Sequence, residues 1–134
     1  MKRRLRFPTA DKIIKTNKRV LEEIKVRKAD KHQLLASKEK LNNIILSVRK
    51  THGDIFDKAA NLMTELVRSH PFASGNRRTA FTVTMEFLLI NGFVSPLFKK
   101  QQSEKVLLGI RESYYSKKEI KYWLKKGEIR AFKR

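Results

Sequence analysis

His70-Pro71-Phe72-Ala73-Ser74-Gly75-Asn76-Arg77-Arg78-Thr79-Ala80-Phe81 separates two apolar patterns, and its reading decides the fold. Before it, Ile55, Ala59, Leu62, Met63 and Leu66 recur at helical spacing, with Phe56, Ala60 and Val67 widening the stripe. After it, Ala80, Phe81, Val83, Met85, Phe87, Leu88, Leu89 and Ile90 make a helix apolar on nearly every side, ended by Asn91-Gly92. Such a helix belongs at the centre of a core. Pro71 disfavours helical geometry at His70, so the first helix stops there. Gly75 permits a turn that a side chain would obstruct, and lets a ligand approach closely. The second helix opens with N–H groups facing back into the loop, which with the helix dipole make an anion site. Arg77 and Arg78 on its first turn add fork-shaped donors suited to phosphate. The residues alone read as an imidazole beside a phosphate cradle.

Working outward, Thr9 caps a helix over about 11–27, with Ile13, Asn17, Val20, Leu21 and Ile24 on its inner side. Residues 26–36 hold no steady period and read as a loop, with a short strand pair as the alternative. His32 within it reads as an exposed loop residue rather than a ligand. Ser37 caps a helix over 38–50 that buries Leu41, Ile44, Ile45 and Val48, and Gly53 suits the turn after it. Asp54 caps the helix over 55–69. Beyond the second helix of the motif, Pro96 breaks the connection over 94–101. Ser103 begins a fifth helix with Val106, Leu107 and Ile110 inward. Ser116 and Glu119 form a capping box for a sixth, which carries Ile120, Trp123 and Leu124 and closes at Gly127. The expectation is an all-α bundle of about six helices. It is one domain over 1–134, with a core over about 5–127 and basic terminal tails.

A chain of 134 residues with 40% hydrophobic content suffices for a single core. The absence of cysteine excludes disulfides and thiolate metal sites, and fits a cytoplasmic protein. No apolar run of membrane-spanning length occurs, and the basic start lacks the apolar core of a signal peptide. Lys and Arg number 32 against 13 Asp and Glu, a formal charge of +19. That balance attracts polyanions such as nucleic acid, ribosomes or acidic proteins, or it solvates lysine-rich helix faces.

The motif resembles the Fic/Doc signature HxFx(D/E)GNxRxxR, with His70, Phe72, Gly75, Asn76 and Arg78 on defining positions. It is more similar to the Doc branch, the death-on-curing toxins, whose form is HxFxDANKRTA. Arg77 stands where Fic enzymes carry a second glycine, and Phe81 where they carry a final arginine. The departure is Ser74, at a position acidic in active members.

The resemblance implies that His70 accepts the proton of a protein hydroxyl as that hydroxyl attacks a nucleotide phosphate. It gives Asn76 and Arg78 the other catalytic places, with Arg78 stabilising transition-state charge. Asn76 also reads as a cap of the fourth helix or a holder of phosphate oxygen. Ser74, Gly75, Asn76, Arg77 and Arg78 form the nucleotide-binding set, and Phe72 anchors the loop. The basic Arg77 points to phosphoryl rather than AMP transfer. The implied co-substrate is a nucleoside triphosphate, ATP in the first instance. Mg2+ stays open, because a hydroxyl is a poorer ligand than a carboxylate and no metal ligand is assigned. Implied partners are a protein substrate such as a translation factor, and an antitoxin. The inhibitory (S/T)xxxE(G/N) helix of many Fic proteins is matched only in its first part, by Thr82 to Glu86. Residues 26–36 correspond to a flap on which a target peptide docks by strand addition. The rival reading is a catalytically weak or inactive Fic-fold module that binds nucleic acid or ribosomes through its basic surfaces.

Overall fold

The computed structural model describes residues 4–23, 32–99 and 104–133, and they form six α-helices. These are α1 (Ala10–Glu23), α2 (Lys38–Lys50), α3 (Ile55–Ser69), α4 (Asn76–Ile90), α5 (Glu104–Arg111) and α6 (Lys117–Lys126), with a 3-10 turn at Pro96–Lys99. The all-α expectation holds, and so do the starts of α2, α3, α4 and α6 at the residues that cap or open them. Residues 24–31, including most of the expected flap and the last turn read into α1, lie outside the described residues, as does Ser103.

Side-chain caps explain most of the helix starts. The Lys12 amide donates to the Thr9 hydroxyl at 3.1 Å, and the Lys40 amide to Ser37 at 3.0 Å. Asp54 accepts from the Phe56 and Asp57 amides, while Asp57 accepts in return from the Asp54 amide at 2.8 Å. Ser116 and Glu119 exchange the same pair of bonds, both at 3.1 Å. Each bond satisfies an amide that the helix ladder leaves over, and such caps are worth about 1 kcal/mol apiece.

Burial makes α3 the hub. It packs on α4 and also touches α2, α5 and α6, while α1 lies across α4. Leu62, Met63 and Leu66 of α3 are sealed from solvent together with Leu41 of α2, Leu88 of α4, Leu107 and Ile110 of α5 and Ile120 and Leu124 of α6. Helix α4 is apolar on almost every side for most of its length, as its composition requires. Its last two residues differ: Leu89 and Ile90 are 46% and 57% exposed, because the helix end leaves the core there.

Two polar clasps hold the periphery. Asn91, just past α4, accepts from the Arg6 amide at 2.8 Å and donates to the Arg6 carbonyl at 2.9 Å. The segment after Gly127, read from sequence as a basic tail, is fastened to the fold. Tyr115 donates its hydroxyl to the Arg130 carbonyl at 2.9 Å, and the Arg130 guanidinium lies 4.1 Å over the Tyr114 ring. Arg130 also pairs with Glu119, whose carboxyl is held down to about 2 by that hydrogen bond and by the Ser116 amide. No helix among the described residues is long and apolar enough to cross a membrane.

Candidate active site

The motif loop runs from the end of α3 to the start of α4, and it is built around Phe72, whose side chain is wholly buried. His70 is the last-turn cap of α3 and adopts a left-handed conformation (φ 49°, ψ 57°). That conformation is uncommon for a residue with a side chain and costs about 1–2 kcal/mol. Gly75, at the start of α4, is also left-handed (φ 74°). A Cβ there would lie 3.0 Å from Leu21 Cδ2 and 3.4 Å from Asn17 Nδ2, so conformation and space both call for glycine.

Asn76 ties the loop together. Its Oδ1 accepts from the Phe72 amide at 2.9 Å, and its Nδ2 donates to the Phe72 carbonyl at 2.8 Å. Those two bonds fix which way the amide faces. Nδ2 therefore also meets His70 Nδ1, at 3.1 Å, as a donor. The neutral His70 ring accordingly accepts on Nδ1 and carries its proton on Nε2. The expectation that Asn76 caps α4 is corrected. Gly75 occupies the cap position with no side-chain bond, and Asn76, already inside the helix, turns its side chain back to the loop. Its polar atoms are engaged with Phe72 and His70.

Helix α4 thus begins without a side-chain cap and with no acidic residue in its first turn, unlike α2, α3 and α6. Its ladder starts with the Thr79 amide on the Gly75 carbonyl at 2.9 Å. The amides of Asn76, Arg77 and Arg78 precede that bond, and the positive end of the helix dipole is not offset by an acidic side chain of its own first turn. Arg77 reaches Glu104 of α5 at 3.7 Å, a half-exposed pair of small energetic weight. Its Nε is a buried donor with no hydrogen-bond acceptor among the described residues. Arg78 and Ser74 are both half-buried on the same turn and loop.

Sequence reasoning did not give Asn17 and His32 their places. Asn17, fully buried on α1, donates from Nδ2 to the Ser74 carbonyl at 2.9 Å and to the Thr79 hydroxyl at 3.0 Å. Its Oδ1 lies 2.8 Å from His32 Nδ1. The His32 ring stacks on the Phe72 ring at 6.4 Å between centroids. The signal for Asn17 was available: an amide on the apolar side of a helix needs a buried partner. His32 lies on an aperiodic stretch and carried none. Its segment runs along the motif loop, with the Leu35 and Ala36 amides on the Pro71 carbonyl at 2.8 and 3.1 Å and the Ala73 amide on the Gln33 carbonyl at 2.9 Å. The expected strand pair reduces, among the described residues, to one bridge between Leu34 and Phe72. Glu86, in the partial inhibitory pattern, is paired with Arg19 of α1 at 2.9 Å. No group of three or more metal-ligating side chains occurs among the described residues.

Residues 7–88 match the Fic/DOC family, and the chain belongs to it. Among characterised relatives it is similar to Toxin Doc of Mycolicibacterium smegmatis, 47% identical over 38 residues. That match spans 28% of this chain and 29% of the toxin.

Proposed function

We propose that this protein is a Doc-like transferase that moves a phosphoryl group from a nucleoside triphosphate to a hydroxyl of a protein. The observation that carries the reading is the α4 mouth: three leading amides, no capping side chain, and Arg77 and Arg78 on the first turn, six to eight residues after His70. Such a mouth suits a polyphosphate. The attacking hydroxyl forms a bond to phosphorus, the bond to the nucleoside diphosphate breaks, and the hydroxyl proton goes to the His70 imidazole. Arg78 offsets charge on the transferred group. Arg77 holds a phosphate oxygen through its guanidinium. Phe72 and Asn76 keep the loop in shape.

In its resting form the neutral His70 ring carries its hydrogen on Nε2. To accept a proton it must first move that hydrogen to Nδ1 and give up the Asn76 bond. This costs about 1 kcal/mol, or roughly a five-fold smaller population. Ser74 stands where a carboxylate would bind Mg2+, and a hydroxyl is a poorer ligand, so a magnesium ion would depend chiefly on the nucleotide phosphates. ATP is the proposed donor, a translation factor the proposed class of target, and the cytoplasm the proposed place of action. An antitoxin supplies restraint, in keeping with the similarity to Toxin Doc.

The test is incubation of the protein with ATP and cell lysate, followed by mass spectrometry of the lysate proteins. Added phosphate or AMP that vanishes in His70→Ala supports the transferase, and the mass distinguishes the group moved. No modification, with salt-sensitive RNA or DNA binding that His70→Ala leaves intact, refutes it. The formal charge of +19 makes a nucleic-acid-binding module the reading that would then stand.

A further inference from the structure

We propose that the end of the bundle where α4 finishes, away from the motif, is a docking surface for an acidic amphipathic helix of a partner protein. The inference goes beyond the transferase reading and does not depend on it.

Eight large hydrophobic side chains are exposed among the described residues, and five of them fall within residues 89–98: Leu89, Ile90, Phe93, Val94 and Phe98. Each is between 42% and 62% exposed, and together they leave on the order of 500 Å2 of apolar surface in water. A patch of that size on a single chain is often an interaction site. Hydrogen bonds fix its shape. Gly92 is left-handed (φ 86°), and the Phe93 amide donates back to the Leu88 carbonyl at 2.9 Å. The Phe93 ring then sits edge-on to Phe56 of α3, at 5.8 Å. The Phe98 amide donates to the Ser95 carbonyl at 3.0 Å, and the Ser95 hydroxyl to the Leu124 carbonyl at 2.6 Å. A turn anchored on α3 and α6, rather than a frayed helix end, presents these side chains.

Cations come to the same end from four segments. Arg6 is held beside Asn91 through its own backbone, at 2.8 and 2.9 Å. Arg49 of α2 lies 4.7 Å over Phe7, which stacks on Phe87 at 5.4 Å. Lys125 of α6 lies 5.8 Å over Phe56, the ring that Phe93 touches, and Lys99 follows Phe98. All four are exposed, and none forms an ion pair with an acidic side chain among the described residues. The sequence holds no Asp or Glu from 87 to 103. Asp54 and Asp57, on either side of Phe56, are engaged by Lys121 at 3.6 and 3.0 Å.

An apolar centre beside cations that no acid offsets fits a partner that is apolar on one face and acidic next to it. An amphipathic helix with acidic flanks has that pattern. Nucleic acid would meet the cations but leave the aliphatic side chains in water. A second copy brings the same charge of +19, and the patch is smaller than the roughly 800 Å2 per partner of a standard stable interface. Helix α4 has 15 residues and so is about 22 Å long. A partner seated at its end leaves the motif at its start uncovered.

The probe is a synthetic helix-forming peptide with leucine on one face and glutamate on its flanks, titrated by fluorescence anisotropy against the full chain at about 0.15 M salt. Serine-for-leucine and glutamine-for-glutamate versions are the controls. The expected result is micromolar binding that weakens about tenfold or more with either control peptide, and likewise in Ile90→Ser/Val94→Ser and in Lys99→Glu/Lys125→Glu. Ile90 and Val94 are more than half exposed, so their replacement spares the core. In 1H–15N spectra the peptide should shift the amides of residues 88–99 and leave those of the motif loop in place. Equal binding of the leucine-free peptide, equal binding by Ile90→Ser/Val94→Ser, or shifts centred on the start of α4 overturns the proposal. Phosphatidylglycerol vesicles that bind through Ile90 and Val94 while the peptide does not bind make the occupant a bilayer, and a wild-type dimer that Ile90→Ser/Val94→Ser separates makes it a second copy; either result overturns it.

Discussion

Replacing Asn76 by alanine should loosen the motif loop. The side chain is 6% exposed and spans three partners: the Phe72 amide, the Phe72 carbonyl and His70 Nδ1. His70 is exposed, so water replaces its bond at little cost. The two Phe72 groups are buried, and each loses its partner. A buried polar group left unpaired costs about 1–3 kcal/mol, so two cost between about 2 and 6. The loop is close to the surface and can relax, which places the expected loss near 3 kcal/mol. For a domain of this size that corresponds to a fall in Tm of about 10 °C. Thermal and urea unfolding followed by circular dichroism measure it, and the Phe72 amide should lose its protection from hydrogen exchange. Asn76→Asp sharpens the test. Its carboxylate still accepts from the Phe72 amide but sets a second oxygen against the Phe72 carbonyl, so it should not recover the lost stability. A loss below about 1 kcal/mol in Asn76→Ala, or full recovery in Asn76→Asp, would refute the clasp.

Gly75→Ala should lower the urea midpoint by an amount equal to about 1–2 kcal/mol, since it forces a left-handed alanine whose Cβ crowds Leu21. An unchanged midpoint would mean that the loop has another conformation. Leu62→Ala empties a fully sealed position of α3 and should cost about 2–5 kcal/mol by the same measurement. The Glu119 carboxyl titrates at about 2 in the folded chain, below its ordinary value of 4.5. Its contribution is therefore present above about pH 4.5 and drains away as pH falls toward 2. Unfolding at stepped pH should show that loss in the wild type and a smaller one in Glu119→Gln; identical slopes would count against the Arg130 pairing.

Much of the fold was legible because its signals are local. A capping side chain and its amide lie two or three residues apart, so Ser37, Asp54 and Ser116 announce their helices from sequence alone. The unbroken apolar run of α4 likewise marks a buried helix. The site was legible only along the chain. The spacing of His70, Gly75 and Arg78 can be read from one end to the other, but the Asn17–Ser74 and Asn17–His32 bonds join segments that no periodicity connects. The misreading of Asn76 as a cap has a similar root. Asparagine favours both cap and loop bonds, and the choice depended on Gly75 taking the left-handed turn first. The tail after Gly127 was missed because Arg130 reads as a solvated charge until Tyr114, Tyr115 and Glu119 are seen around it.

The clasp between Asn91 and Arg6 spans 85 residues, and the Asn17–Ser74 bond spans 57. Bundles built from neighbouring helices assemble quickly, whereas closures of that length are entropically slow. The first helix can grip the motif loop only after both α3 and α4 stand in place. In a refolding time course, amide protection in α3 and α4 should precede protection of the loop, making the junction between those two helices the last part to set.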